Sequence, residues 1–406
     1  MEIRPIISAL MRSKVAMILI GLQVALTLAI LCNALFIINE RMQRMQRPTG
    51  MNETDTFVIS SFGFGQGFNV QTTIDTDLAM LRSLPGVVDA AATNGMVPLG
   101  GNGWGSGLNI KPDQKTETAS TAFYMSDDHA INAYGLKLIA GRNFKPEEIA
   151  FMTQNNRKTS PIAIVSRALA EKLSPPSGDV VGKTFYEDTN AFTIIGVVDR
   201  LEVPWVNWDG QSFENSTIWP THMVYGNGST YLIRAEPGRR DEMMKTVETK
   251  LADSNKSRIV RSLRSMEKVR NDAYVDDRAM AIILGGVIIA LLTITALGIV
   301  GMASFWVAQR TKQIGTRRAL GATKFDILRY FLTENFLITT AGLILGGVLS
   351  YALSLWLLTH VDGAKLLPWY YVPVGFISLW LLGQAAVLGP AMRASRVPPA
   401  VATRSV

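Results

Sequence analysis

Residues 310–339, RTKQIGTRRALGATKFDILRYFLTENFLIT, stand between two long apolar runs. The first half of this stretch is basic: Arg310, Lys312, Arg317, Arg318, Lys324 and Arg329 are set against Asp326 alone. Lys and Arg close to span ends resist translocation, so a basic loop between membrane spans lies on the cytoplasmic side. From Lys324 onward the pattern is helical, with Phe325, Leu328, Tyr330, Phe331 and Leu332 on an apolar side and Asp326 and Arg329 opposite. Gly321 separates the basic approach from this helix and suits a stop or a turn. A short cytoplasmic helix held between spans can be moved by a soluble partner. A solvated basic loop that only sets topology is the alternative.

The surrounding chain supports a membrane setting. Of its 406 residues 48% are hydrophobic and only 18% charged, too apolar for an ordinary soluble domain of this size, and the mean hydropathy is +0.19. The net charge of +7 gathers beside apolar runs and forms no basic stripe interleaved with aromatics, which argues against nucleic acid. The single cysteine, Cys32, excludes an intramolecular disulfide and a cysteine-based zinc site. His129, His222 and His360 are far apart and have no metal-ligand spacing.

Four spans are predicted, at 15–38, 279–307, 331–358 and 372–390. Residues 1–14 read as an amphipathic helix on the inner face. The run 15–38 is longer than a signal-peptide core and lacks a small-residue cleavage site, so it reads as an uncleaved span. Basic residues before the first span, in the loop 308–330 and in the tail 391–406 place both termini in the cytoplasm. The short connection 359–371 then falls outside. Arg41, Arg44 and Arg47 conflict with this orientation, but the segment they open is roughly 240 residues long, and the charge rule weakens for long translocated domains. Gly342 and Gly346 form a GxxxG step that suits close helix packing, within one bundle or between copies.

The segment 39–278 is polar and reads as α+β, in two subdomains. Strand, helix and strand at 56–62, 75–84 (capped by Asp75) and 87–97 are matched by 230–235, 238–254 and 258–263. These two ends suggest one subdomain, with a second inserted at about 119–220. Residues 265–278 read as a helix running into the second span, a stiff link to the membrane.

Motifs for catalysis are weak. GDVVGKT at 178–184 has three residues between its glycines where a phosphate-binding loop needs four, and no helix follows, so a turn entering a strand is the better reading. The glycine-rich runs 63–67 and 100–107 read as mobile loops. Asp127, Asp128 and His129 read as a surface turn, and Glu334 and Asn335 as residues at headgroup depth or, alternatively, as a polar contact in a moving bundle.

The order of one span, a large outer domain and three spans resembles the macrolide-exporter and FtsX-like permeases of ABC transporters. The specific signal is QRTKQIGTRRALGATKFDILRYFLTENFLI at 309–338, where Arg310, Ile314, Gly315, Arg317, Ala319, Leu320, Gly321, Ala322 and Ile327 fall on the family's loop pattern. GLKLIAGRNF at 135–144, the Val181-Gly182-Lys183 step with 192–198, and PAMRASRVPPAVA at 390–402 resemble further family segments. Gln313 departs from the family's usual Glu, which puts one ionic contact in doubt.

The resemblance implies a permease without a fused ATPase domain, not itself an enzyme, in the bacterial inner membrane with its large domain periplasmic. ATP and Mg would sit on a separate ATPase, a second permease copy would complete the complex, and a periplasmic adaptor or outer-membrane factor could join. ATP-driven movement would pass through the spans to the outer domain, for efflux of a drug, peptide, lipid or lipoprotein. A regulatory permease that controls a periplasmic hydrolase or senses peptides is the alternative. The coupling residues implied are Arg310, Gln313, Ile314, Gly315, Arg317, Arg318, Gly321, Ala322, Lys324, Phe325, Ile327 and Leu328. Of these, Phe325, Ile327 and Leu328 are expected to dock on the ATPase while Arg317, Arg318 and Lys324 steer the encounter.

Overall fold

The computed structural model describes residues 14–398 apart from 66, 94, 113, 154–158, 176, 207–211, 225 and 362. The inner-face helix at 1–14 lies outside the described residues save for Lys14, and so does the tail beyond 398. The chain divides into a helical unit, residues 1–46 and 277–406, and a sheet-rich unit, residues 47–276.

The helical unit contains four helices long and apolar enough to cross a membrane: α1 (Lys14–Met45), α7 (Val275–Gln309), α9 (Lys324–His360) and α10 (Tyr371–Ser395). Contacts fix their directions. A Cβ on Gly342 would stand 2.6 Å from the Gly21 carbonyl oxygen, and one on Gly346 would stand 2.8 Å from that of Ala25. The two backbones therefore meet directly and run parallel, so the GxxxG step packs α9 against α1 within one chain. Thr27 and Thr295 share a hydrogen bond of 2.8 Å, while Arg41 at the far end of α1 pairs with Asp277 at the start of α7, so α7 runs antiparallel. Asn335 donates to the Gly383 carbonyl (3.0 Å) on α10, antiparallel to α9.

The Arg41–Asp277 pair also explains the misplaced outer charges. Asp277 is buried, with Arg41 and Arg44 both directed at it. Arg47 belongs to the other unit, where it lies over the Phe213 ring at 3.9 Å.

In the sheet-rich unit, β1 (Thr56–Gly63), α2 (Val70–Ser83) and β2 (Val87–Ala92) come from one end of the insertion. At the other end stand β11 (Gly228–Ala235), α5 (Arg240–Ser254), β12 (Arg258–Ser265) and α6 (Met266–Ala273). Their strands form one antiparallel sheet, ordered β12-β1-β11-β2. Phe57, Ile59, Tyr231 and Ile233 of that sheet bury against Ile74, Leu78 and Leu81 of α2 and Val247 and Leu251 of α5. α2 starts earlier than its sequence suggests: Asn69, not Asp75, accepts from the N–H of Thr72 at 3.0 Å and caps the helix. Beneath it, Asp77 and Arg258 form a fully buried pair that Tyr231 joins, its hydroxyl donating to Asp77 at 2.6 Å.

The inserted subdomain is wider than 119–220. It comprises β3 (Trp104–Leu108), β4 (Ala119–Ser126), α3 (Ala130–Tyr134), β5 (Leu138–Gly141), β6 (Ala150–Thr153), β7 (Ile162–Ser166), α4 (Arg167–Leu173), β8 (Thr184–Glu187), β9 (Asn190–Val198) and β10 (Ser216–Val224). Its sheet has the central order β3-β4-β10-β7-β9-β5. Part of the glycine-rich run 100–107 is thus strand: β3 pairs with β4 from Trp104↔Phe123 to Leu108↔Ala119, and those backbone bonds offset the flexibility of its glycines. The glycine-lysine step at 182–183 leads directly into β8, as a turn entering a strand should.

The expected continuous helix from 265 into the second span is interrupted. α6 is capped by Ser265, and Tyr274, its ring buried in the sheet-rich unit, leaves helical geometry (φ −104°, ψ 19°) before α7 begins.

Candidate coupling site

The basic stretch after α7 folds as α8 (Thr311–Ala319), a helix of its own. Gly321 follows with φ +101°, a conformation that favours glycine, and the N–H of Ala322 returns to the Arg317 carbonyl at 3.0 Å. Thr323 then caps α9: its hydroxyl accepts from the N–H of Asp326 (3.2 Å), and the Asp326 carboxylate accepts from the N–H of Thr323 (2.9 Å). Nothing interrupts α9 after this box. The segment expected as a separate coupling helix, from Lys324, is therefore the first turns of the third long helix, and the separate short helix lies before it.

Burial sorts the predicted coupling residues into two groups. Ile314, Gly315 and Ile327 are buried, Ile327 with only 3% of its surface exposed, and Leu328 is half-buried against the same core. Ile327 therefore cannot be a docking residue in this arrangement, because its side chain is part of the bundle core. Leu320 and Phe325 instead stand out on either side of the Gly321 turn, 84% and 67% exposed. Gln313, Arg317, Lys324 and Gly321 itself are exposed, and Ala322 is half-buried. Leu320 matched the family pattern in sequence, but a motif does not reveal which of its apolar residues are left exposed.

Two of the arginines turn inward. Arg310, the residue before α8, directs Nη1 at both carboxylate oxygens of Glu334 (2.9 and 3.0 Å). Glu334 is only 1% exposed, a buried ion-pair partner that makes a polar contact within the bundle. Arg318 donates through Nη1 to the Ser395 carbonyl at 2.7 Å, tying α8 to the end of α10. It is thereby half-buried and unsuited to steering. Arg317 lies over the Tyr330 ring at 4.8 Å from its centre.

The Asp127 segment also differs from its surface-turn reading. Asp127 is buried and accepts from Arg82 Nη2 at 2.7 Å, while His129 Nδ1 lies 2.8 Å from Asp89. Burial pushes the Asp127 carboxyl up to about 6 against the pull of Arg82, and pushes His222, 4.0 Å away, down to about 4. The Arg82–Asp127 ion pair links α2, which packs on one sheet of the outer unit, to the end of β4 in the other. Among the described residues no three metal-ligating side chains gather into a cluster.

Comparison with known proteins matches both parts of the chain. The MacB-like periplasmic core domain matches residues 18–255, and the FtsX-like permease C-terminal region matches residues 285–399. The chain belongs to the MacB-like FtsX permease family. The macrolide export ATP-binding/permease protein MacB of Wolinella succinogenes is 24% identical over 382 residues, covering 89% of this chain and 54% of the relative. A probable syringafactin export ATP-binding/permease protein of Pseudomonas syringae is 22% identical, covering 86% of this chain and 51% of the relative. The chain thus spans about half the length of these curated relatives. Among solved structures, the periplasmic region of MacB from Actinobacillus actinomycetemcomitans is similar at 14% identity and a TM-score of 0.35, covering 57% of this chain and 97% of that one. This permease is accordingly a multi-pass membrane protein whose large α/β domain, between the first two spans, is of the MacB periplasmic type.

Proposed function

We propose that the chain is the permease subunit of an ABC transporter and passes movement from a separate cytoplasmic ATPase to its own outer domain. The observation that carries this reading is the exposed pair Leu320 and Phe325 on either side of the Gly321 turn, in a stretch that also exposes Lys312, Arg317 and Lys324. Exposed apolar residues in a charged stretch suit a protein partner. The turn is held by α8 and α9, so a load on it reaches the bundle. ATP and Mg belong to the partner in this scheme. A second permease copy completes the complex, and a periplasmic adaptor or outer-membrane factor can extend it.

Export is the favoured direction, because the similar proteins carry export names, for macrolides and for syringafactin. The setting is the bacterial inner membrane, with both termini in the cytoplasm. The test is purification of the tagged chain from its native membrane with whatever accompanies it. An ATPase subunit should copurify with the wild-type chain, and Phe325→Asp should reduce its recovery at least tenfold while leaving the permease folded. Full recovery with Phe325→Asp and with Leu320→Asp would remove the docking assignment.

A further inference from the structure

Resting on that reading, we propose that the Arg310–Glu334 ion pair is the positioning contact that makes α9 follow α8. Arg310 occupies the junction of α7 and α8, and its guanidinium crosses to α9. Glu334 lies ten residues into α9, about 15 Å along its axis at 1.5 Å per residue. The pair therefore grips α9 well inside the bundle and not at its exposed tip.

Arg318 ties α8 to the end of α10 and Arg317 lies over the Tyr330 ring, while the other contacts that hold α8 against α9 are apolar. Ile314, Ile327 and Phe331 line one small cleft with Arg310, and such apolar contacts are non-directional. A slide of α8 by one helical turn, about 5.4 Å, would exchange one apolar neighbour for another. The same slide would part Arg310 from Glu334 and leave a buried carboxyl without its hydrogen-bonded partner, a far larger penalty. The ion pair thus resists the displacement that the hydrophobic contacts tolerate. Stability alone does not call for it, since a buried pair can often be replaced by apolar residues without loss, and its best-attested use is to specify registry.

The experiment compares the complex in nanodiscs with the free ATPase subunit and reads the ratio of their turnover rates. In Arg310→Met/Glu334→Leu the bundle should remain folded and the ATPase should copurify as with the wild type. The rate ratio should fall at least tenfold. The swapped pair, Arg310→Glu/Glu334→Arg, should recover to within about threefold of the wild type. A wild-type ratio in the apolar pair would overturn the inference and leave the docking reading intact. If the apolar pair fails to insert, Glu334→Gln takes its place, because it keeps volume and hydrogen bonding but removes the charge. A lowered ratio with the ATPase retained supports the proposal, and an unchanged ratio sinks it. Absence of any ATPase from the wild-type preparation would instead remove the reading on which the inference rests.

Discussion

Glu202 is buried in the outer unit, and its Oε2 has no hydrogen-bond partner among the described residues. Burial pushes its carboxyl from 4.5 up to about 8 against the pull of Arg270 and Arg47, with Glu53 and Glu214 adding repulsion. The folded value lies above the unfolded one, so the fold favours the protonated form. Its stabilising contribution is complete below about 4.5 and disappears as pH rises to about 8. Glu202→Gln should therefore gain on the wild type as pH rises, by roughly 2–4 kcal/mol between pH 5 and 8 at about 1.4 kcal/mol per pKa unit. Thermal unfolding of the detergent-solubilised chain at both pH values checks this, and parallel pH trends in the two proteins would refute it. Such positions were not legible in sequence. Nothing in the sequence around Glu202 or Glu334 signals a buried carboxyl, because their burial depends on packing that the local sequence does not show. Arg41 and Arg44 looked like topology errors for the same reason: Asp277, which explains them, lies more than 230 residues away.

Elements whose signals are local could be read in advance. The apolar runs, the Gly321 turn and the strand-helix-strand order at both ends of the insertion depend on neighbouring residues, and all appear in the structure. Element ends were less legible. α9 absorbs the expected coupling helix because the Thr323–Asp326 box starts it and no breaker follows, whereas α8 looked like loop because its charges masked a helical period. The partner of a packing motif was equally hidden. GxxxG signals a close approach but does not name the helix that approaches. The structure names α1, and this gives an element-scale prediction. Gly346→Val should force its side chain against the Ala25 backbone and cost at least the ~1–3 kcal/mol of an overpacked core. Gly301→Ala, where a Cβ meets nothing within 4 Å, should be neutral. Equal melting temperatures for the two variants in detergent would show that the α1–α9 approach is not as close as described.

At the scale of the molecule, the chain passes between its two units twice, near residues 46 and 277, and each unit holds both crossings at its own end. In the helical unit Arg41 and Arg44 bind Asp277. In the sheet-rich unit Arg270 donates to the Arg47 carbonyl (2.8 Å) and to Glu53 (2.6 and 2.7 Å). Burial of Glu53 is outweighed by these bonds, so its pKa is lowered and it stays ionised at neutral pH. One candidate span, α7, stands between the large domain and the turn at Gly321, so the proposed function puts the two on opposite sides of the membrane. A cysteine at exposed Lys256 should therefore react with a membrane-impermeant maleimide on sealed spheroplasts, and one at exposed Lys312 only after the membrane is opened. Native Cys32 is buried and should remain silent in both cases. Labelling of Lys312→Cys on sealed spheroplasts would place the docking turn outside the cell and end the case for a cytoplasmic ATPase.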